Sequence, residues 1–136
     1  MTKIRGIHEA VLYASDLDAA EGFFAGVLGL PRLGDASDLM RIFRVAPEQV
    51  LLVFDPAKSE PAGREVPSHG ARGPGHIALL VGAGELDAWR VRLEDAGIPI
   101  EQEVVWERLH GRSLYVRDPA GNSVELTEGD IWAPLV

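Results

Sequence analysis

The chain has 136 residues, a quarter of them charged, a formal net charge of −8 and no cysteine, which suits one globular domain or two small halves that share a core. The negative charge disfavours nucleic-acid and membrane partners, and the lack of cysteine excludes disulfides, thiolate metal sites and cysteine nucleophiles. Because the sequence has neither a secretory signal nor the roughly 18 apolar residues of a membrane helix, we expect a cytoplasmic protein.

The first half of the sequence predicts one strand, one helix and three further strands. Apolar residues at every second position predict a strand over 7–14. Apolar residues at helical spacing then predict a helix that is capped by Ser15 and ends at Gly29. The further strands are predicted over 32–35, 39–45 and 49–54. This βαβββ order spans about residues 4–56, and the Pro-, Gly- and Ser-rich stretch 57–73 predicts a surface linker.

The second half repeats that order. The segment His76-Ile-Ala-Leu-Leu-Val81 matches His8-Glu-Ala-Val-Leu-Tyr13, so a second strand of the same kind is predicted over 75–81. A helix is predicted from near Gly84 to Gly97. Its apolar stripe consists of Leu86, Trp89, Leu93 and Ala96. Three more strands are predicted over 100–106, 112–117 and 123–128. The fold class is therefore α+β, with two tandem βαβββ modules of about residues 4–56 and 74–130 in a single domain of residues 1–136.

Two histidines and one glutamate stand out against this pattern. His8 and His76 begin the matched strands of the two modules, and Glu125 lies on the polar face of the last strand, between Ser123 and Thr127. Two imidazoles and one carboxylate are a recurrent ligand set for divalent metals. On the residues alone, a surface histidine and a solvated glutamate remain alternatives. No role is assigned to Glu9.

The sequence resembles the vicinal-oxygen-chelate superfamily, the group of glyoxalases, bleomycin-resistance proteins and extradiol dioxygenases. The resemblance runs from Ile7 to Glu128 and rests on four stretches of the sequence. They are Ile7-His8, Phe23-Phe24-x-x-Val27-Leu28-Gly29-Leu30, Gly75-His76-Ile77-Ala78, and the stretch from Leu114 through the Asp118-Pro119-Ala120-Gly121-Asn122 turn to Leu126. The last stretch is the most specific of the four.

The resemblance implies a half-open mixed β-barrel around one divalent metal ion. It assigns His8, His76 and Glu125 as ligands, with Fe(II) or Mn(II) preferred and Ni(II) or Zn(II) possible. It also implies a small substrate with vicinal oxygens and a homodimer. The fourth ligand position of the family aligns with Leu52, which cannot bind metal. Glyoxalase I enzymes carry a carboxylate there, so the resemblance argues against a typical glyoxalase I.

The remaining candidate residues follow from the resemblance and from the strand pattern. Tyr115 is the candidate hydrogen-bond donor or acid beside the metal, and His110 the candidate base. The candidate walls of the substrate pocket are Phe43, Trp106, Arg112 and Trp132. For each of them, core packing or simple solvation is the alternative.

Two functions are consistent with these features. The first is a metal-dependent enzyme, dioxygenase-like or a lyase or isomerase, that acts on a small substrate with vicinal oxygens. The second is a non-catalytic protein of the bleomycin-resistance type, which binds a drug or antibiotic without metal. Retention of two histidines and a glutamate favours the enzyme.

Overall fold

The computed structural model describes residues 1–135, and the chain divides into two units between Gly73 and Pro74. Both units have one four-stranded mixed sheet with helical segments. This confirms the α+β class and the two βαβββ modules predicted from the repeat. Within residues 1–135, no helix is long and apolar enough to cross a membrane.

Unit 1 contains four strands and two short helices. In chain order these are β1 (Glu9–Tyr13), α1 (Leu17–Glu21), which continues as a π-helical segment (Gly22–Val27), β2 (Arg32–Leu33), β3 (Met40–Ala46), β4 (Gln49–Phe54) and α2 (Pro56–Ser59). The sheet order is β1-β4-β3-β2, with β1 parallel to β4 and the other pairs antiparallel. The predicted strand over 49–54 is confirmed. The strands predicted over 7–14 and 32–35 are shorter because pairing with their neighbours ends earlier.

Unit 2 repeats the arrangement with a longer helix. Its elements are β5 (His76–Val81), α3 (Leu86–Asp95), β6 (Gln102–Trp106), β7 (Gly111–Arg117), β8 (Ser123–Glu128) and a terminal 3₁₀ turn (Ala133–Leu135). The order is β5-β8-β7-β6, and β5 is parallel to β8. β8 thus lies in the middle of the sheet, between the parallel strand β5 and the antiparallel strand β7.

The first helix begins one residue later than predicted. Asp16, not Ser15, is its N-cap, because Asp16 has an extended backbone and its carboxylate accepts a hydrogen bond of 2.9 Å from the Ala19 amide. The wider π-helical turn then follows, and the adjacent Phe23 and Phe24 are both buried there, edge to face at 5.0 Å. The predicted end at Gly29 is confirmed by its positive φ of 74°.

Phe43 belongs to the core of unit 1. Its side chain is fully buried and packs against Phe24, with ring centroids 5.6 Å apart. It shares the helix-facing side of the sheet with the buried Leu51, its cross-strand partner. The prediction that Phe43 forms a wall of the substrate pocket is therefore wrong, because its strand turns that side chain toward the helix.

Helix α3 is held against the unit 2 sheet by two leucines. Leu86 and Leu93 are buried, whereas Ala96, predicted to continue the apolar stripe, is exposed because the helix ends at Asp95. Gly97 follows with a φ of 74°, as the predicted helix stop requires. The helix thus buries one narrow face, marked by two leucines seven positions apart.

The stretch predicted as a linker folds back onto unit 1. The Tyr13 hydroxyl lies 2.7 Å from Nδ1 of His69, whose ring also meets Phe54 edge-on at 4.7 Å. The guanidinium of Arg64 lies 5.7 Å from the centre of the Phe54 ring. These contacts tie the loop to the ends of β1 and β4.

Candidate metal centre

Glu125 is held at the middle of the unit 2 sheet. On β8 it lies opposite Ala78 of β5 on one side and opposite Tyr115 of β7 on the other. Its neighbours Val124 and Leu126 face the helix and are buried, as alternation predicts. Glu125 itself is only 6% exposed, so the opposite face of the strand is also shielded from water.

One of the two carboxylate oxygens of Glu125 accepts hydrogen bonds from two hydroxyl groups. Ser113 donates to Oε1 over 2.5 Å, and Thr127 donates to the same atom over 2.8 Å. The indole nitrogen of Trp106 in turn donates to the Ser113 hydroxyl over 2.9 Å. This network fixes the rotation of the carboxylate and leaves Oε2 turned toward His76.

The ring of His76 faces that second oxygen. Nδ1 of His76 lies 3.1 Å from the carbonyl oxygen of Ser123, which only accepts, so Nδ1 carries a proton. Nε2 lies 3.3 Å from Oε2 of Glu125. A protonated imidazole pairs directly with the carboxylate across this distance, and with the ring neutral a cation between the two atoms would satisfy both of them.

This geometry fits a divalent ion. Two donor atoms that each bind one ion at about 2.1 Å lie roughly 3.0–3.4 Å apart, for angles between octahedral and tetrahedral. The separation of Nε2 and Oε2 lies within that range. A backbone carbonyl on the other ring nitrogen is the usual way in which a metal-binding histidine is oriented. In residues 1–135, however, no group of three histidine, aspartate and glutamate side chains is assembled; unit 2 offers two donors.

The turn before β8 aligns the two ligand strands. The buried Asp118 carboxylate accepts hydrogen bonds from the amides of Ala120 and Asn122. Asn122 links this turn to the start of β5, since its side-chain oxygen accepts a 2.8 Å hydrogen bond from the Gly75 amide. The residue before His76 is thus tied to the residue before β8, which fixes His76 relative to Glu125.

Tyr115 lies beside this pair. Its ring stacks on His76, with centroids 6.2 Å apart and planes 19° from parallel. Burial, the negative charge of Glu125 and a hydrogen bond to Glu125 raise the pKa of the Tyr115 hydroxyl above its ordinary value. The phenol therefore stays protonated at neutral pH and is able to donate a hydrogen bond.

The candidate ligands and Tyr115 open into one cavity of unit 2. It has a volume of about 700 Å³ and is bordered mainly by apolar side chains. Trp106 and Trp132, both predicted as walls, line it together with Leu109 and Ile131. It is large enough for a small organic molecule.

Two predicted site residues lie elsewhere in unit 2. His110 sits in the β6–β7 turn with a φ of 56°, and it lines a neighbouring depression with Arg112 instead of the cavity of Glu125. Arg112 donates hydrogen bonds to the carboxylate of Glu128, with Nε at 3.0 Å, and to that of Asp87. The strand alternation explains this, because Arg112 lies one residue away from Ser113 and faces the other side of the sheet.

His8 lies in unit 1, one residue before β1. Its side chain is exposed, and Nδ1 is 2.7 Å from the carbonyl oxygen of Glu48 in the β3–β4 turn. Arg5 pairs with the carboxylate of the same Glu48. The imidazole ring of His8 is thus hydrogen-bonded to the exposed β3–β4 turn.

Sequence reasoning did not identify Ser113. The available signal was positional: Ser113 lies opposite Thr127, two residues from the Tyr115–Glu125 pair, so four polar side chains share one patch of the sheet. A serine within a strand has no distinctive spacing, and only the pairing of β7 with β8 brings it to Glu125.

Comparisons with known proteins agree with this architecture. The sequence profile described as "Glyoxalase/Bleomycin resistance protein/Dioxygenase superfamily" matches residues 6–126. A solved structure of a lactoylglutathione lyase from Agrobacterium tumefaciens is 40% identical, with a TM-score of 0.88 over 96% of this chain and 98% of that one. No match was found among curated proteins.

Two more distant structures share the fold. A glyoxalase/dioxygenase from Nostoc punctiforme is 22% identical, with a TM-score of 0.70 over 92% of this chain and 91% of that one. The fosfomycin resistance protein FosX from Listeria monocytogenes is 20% identical, with a TM-score of 0.69 over 93% of this chain and 95% of that one. At these identities the likeness concerns the fold alone.

Proposed function

Because the chain belongs to the glyoxalase/bleomycin resistance protein/dioxygenase superfamily, we propose that it is a divalent-metal-dependent lyase or isomerase for a small substrate with vicinal oxygens. The observation that carries the proposal is the His76–Glu125 pair, in which Nε2 of His76 and Oε2 of Glu125 face each other at 3.3 Å while Nδ1 lies 3.1 Å from the Ser123 carbonyl oxygen. Fe(II) and Mn(II) are the favoured ions, with Ni(II) and Zn(II) as further candidates.

In this proposal His76 and Glu125 hold the ion from unit 2. His8 is the ligand that the sequence alone expects from unit 1. A bound divalent ion acts as a Lewis acid that stabilises negative charge on the substrate's chelating oxygens. The hydroxyls of Ser113 and Thr127 keep Oε1 of Glu125 engaged, so that the carboxylate presents one oxygen in a fixed direction.

Tyr115 is the proposed proton donor. Its raised pKa keeps the hydroxyl protonated, and its place in the cavity beside His76 and Glu125 lets it donate to an oxygen of a substrate bound there. Trp106 and Trp132 contribute apolar walls to the cavity in which that substrate would bind.

The relative from Agrobacterium tumefaciens supports a lyase over a dioxygenase, since it is named as a lactoylglutathione lyase. One feature separates this chain from the typical glyoxalase I pattern. Leu52, at the strand position that corresponds to Glu125, has no oxygen to offer and is 7% exposed. We therefore propose a lyase or isomerase whose substrate differs from that of a typical glyoxalase I.

The test combines metal loading with substrate turnover. Metal-free protein is loaded separately with Mn(II), Fe(II) under anaerobic conditions, Ni(II) or Zn(II), and its melting temperature is measured. Loaded and chelated samples are then assayed with a glutathione hemithioacetal, an α-hydroxy ketone and a catechol. We expect at least one ion to raise the melting temperature and to support turnover of a non-catechol substrate.

Other outcomes would contradict the proposal. Ring cleavage of the catechol would indicate a dioxygenase. Tight binding of a small molecule without metal and without turnover would indicate a protein of the bleomycin-resistance type. In the Glu125→Gln variant the metal-dependent rise in melting temperature and the turnover should both be lost. The Glu94→Gln variant, altered on the exposed face of α3, is its matched control and should behave as the wild type. The homodimer expected from the resemblance is checked by sedimentation of the same samples.

A further inference from the structure

The cavity of unit 2 is polar at one end. His76, Glu125 and Tyr115 form this end, where the imidazole lies 3.3 Å from the carboxylate and stacks on the phenol ring. These three side chains present a ring nitrogen, a carboxylate oxygen and a hydroxyl group to a molecule in the cavity. The polar atoms of such a molecule therefore find partners beside the proposed metal ion.

Along β5 the cavity becomes apolar. Ala78 and Leu80 follow His76 on the same face of that strand, and both are exposed at the border of the cavity. At about 3.3 Å per residue, Leu80 lies roughly 13 Å from His76 along the strand. Leu109 and Ile131 add further aliphatic surface to the border. The part of a substrate that extends away from the metal end therefore meets apolar side chains.

Other polar side chains on the border use their polar atoms within the protein. The Thr127 hydroxyl donates to Glu125 over 2.8 Å, and the indole N–H of Trp106 donates to the buried Ser113 hydroxyl over 2.9 Å. Oδ1 of Asp130 accepts hydrogen bonds from two amides of the turn that follows it. An indole has one donor and no acceptor, so Trp106 offers carbon surface to the cavity.

No cationic side chain borders this cavity in residues 74–135. Unit 2 contains no lysine, and none of its arginines lines the cavity. Arg90, Arg112 and Arg117 pair with carboxylates elsewhere in the unit, and Arg108 is exposed in the β6–β7 turn. Asp130, by contrast, adds negative charge to the border. An anionic group far from the metal would therefore meet a like charge and no partner.

The walls of the cavity are rich in aromatic rings. Trp106, Trp132 and Tyr115 all border it, and the Tyr115 ring is already stacked on His76. Aromatic rings that meet edge to face or offset gain stability beyond the area that they bury. With a volume of about 700 Å³, the cavity has room for one such ring beside a chelating group.

We propose that the substrate is an uncharged compound whose vicinal oxygens are attached to an aromatic ring. The inference rests on the proposed function, since those oxygens are the ones that chelate the proposed ion. An aryl α-hydroxy ketone is the simplest member of this class. A glutathione conjugate, which carries free carboxylates, does not match a cavity without a cationic side chain.

Three matched ketones test this class of substrate. They are α-hydroxyacetophenone, the same compound with a para-carboxylate, and cyclohexyl hydroxymethyl ketone. Each is titrated calorimetrically into the full chain, both metal-free and loaded with Mn(II). We expect α-hydroxyacetophenone to bind about tenfold or more tightly than the carboxylate, because like charges repel. It should bind about threefold or more tightly than the cyclohexyl ketone, because ring contacts add to apolar burial.

Three variants test the two preferences separately, with circular dichroism melts as the check of folding. Leu109→Arg adds a cation to the border and should strengthen binding of the carboxylate about tenfold or more. Val91→Arg, on the exposed face of α3 and away from the cavity, is the matched control and should leave that binding unchanged. Trp132→Leu keeps an apolar wall without its ring and should bring the affinities for the phenyl and cyclohexyl ketones together.

Two results with the wild type would overturn the inference. They are binding of the carboxylate as tight as that of α-hydroxyacetophenone, and equally tight binding of the cyclohexyl ketone. Metal-dependent turnover of either of those two ketones would then leave the proposed function standing. A wild type that prefers α-hydroxyacetophenone but binds no divalent ion would overturn the proposed function instead.

Discussion

Nε2 of His76 and Oε2 of Glu125 lie 3.3 Å apart, and each is oriented by a hydrogen bond made on its far side. The Ser123 carbonyl fixes the imidazole, and the Ser113 hydroxyl fixes the carboxylate. A pair of this kind is arranged before any ion arrives, so little conformational entropy remains to be lost when one binds. The consequences are open to test one side chain at a time.

Ser113 should matter to both stability and metal affinity. The Ser113→Ala variant removes a donor to Glu125 and the acceptor of the Trp106 indole, which leaves the part-buried indole N–H without its partner and Oε1 of Glu125 with Thr127 as its remaining hydroxyl donor. We expect the free energy of unfolding to fall by about 1–3 kcal/mol. Metal affinity should fall by about 10–100-fold, the usual cost of losing a group that supports a ligand.

Urea unfolding and metal titration measure the two effects of Ser113→Ala separately. The control is Ser68→Ala, an exposed serine of unit 1 whose hydroxyl bonds only a backbone carbonyl. Metal affinity in Ser113→Ala equal to that of the wild type would show that the hydroxyl does not orient Glu125.

The raised pKa of Tyr115 is directly measurable, because the chain has only two tyrosines. In metal-free Tyr13→Phe, the ultraviolet absorbance of tyrosinate reports Tyr115 alone. Burial and the Glu125 charge oppose the phenolate, so we expect a pKa above the ordinary 10.0. Adding Glu125→Gln removes the charge and should lower that pKa again. No change between the two proteins would contradict the assigned cause.

The same residue should contribute to turnover. If the Tyr115 hydroxyl donates a proton or a hydrogen bond to the substrate, Tyr115→Phe should lower kcat by about 100-fold or more. Metal affinity should change little, because His76 and Glu125 remain. An unchanged kcat with the substrate that the wild type turns over would exclude the role.

Glu128 should make stability depend on pH. Its carboxylate accepts a 3.1 Å hydrogen bond from the Leu86 amide at the start of α3 and pairs with Arg112. The hydrogen bond from the Leu86 amide and the pairing with Arg112 lower the pKa of Glu128 below its ordinary 4.5. A lowered folded-state pKa means that this stabilisation is fully present above pH 4.5 and is lost as the pH falls through the lower value.

The comparison of wild type with Glu128→Gln isolates this contribution. At pH 7 we expect the variant to be less stable by about 1 kcal/mol, the usual value of a helix-capping interaction. The difference should shrink toward zero near pH 3 in urea unfolding. A difference that stays constant with pH would show that the charge of Glu128 is not responsible, and Glu94→Gln serves as the control for an exposed glutamate.

The general architecture was predictable because it depends on periodic features. The apolar run over 49–54 and the alternation over 123–128 predict β4 and β8 to the residue, and Gly29 and Gly97 end both helices where positive φ is needed. These signals are local, so the sequence carries them without reference to the partner strand.

The site was less predictable because it depends on pairing. His8 and His76 are the same residue type at the start of similar stretches, yet His76 is the first residue of β5 and pairs with Ser123, whereas His8 lies one residue before β1. Arg112 and Ser113 are neighbours, and only the pairing of β7 with β8 decides which of them reaches Glu125. A shift of one residue exchanges the two faces of a strand, and composition does not reveal such a shift.

The most direct test of the metal centre detects the imidazole ligand itself. In pulsed electron paramagnetic resonance of the Mn(II)-loaded protein, a coordinated histidine produces a nitrogen coupling. Because His8 is the other expected histidine ligand, the comparison is made between His8→Ala and the double variant His8→Ala/His76→Ala: we expect the coupling in the first and its loss in the second. A coupling that is absent in His8→Ala, or that persists in the double variant, would show that the ion is not bound by His76 and would contradict the central claim.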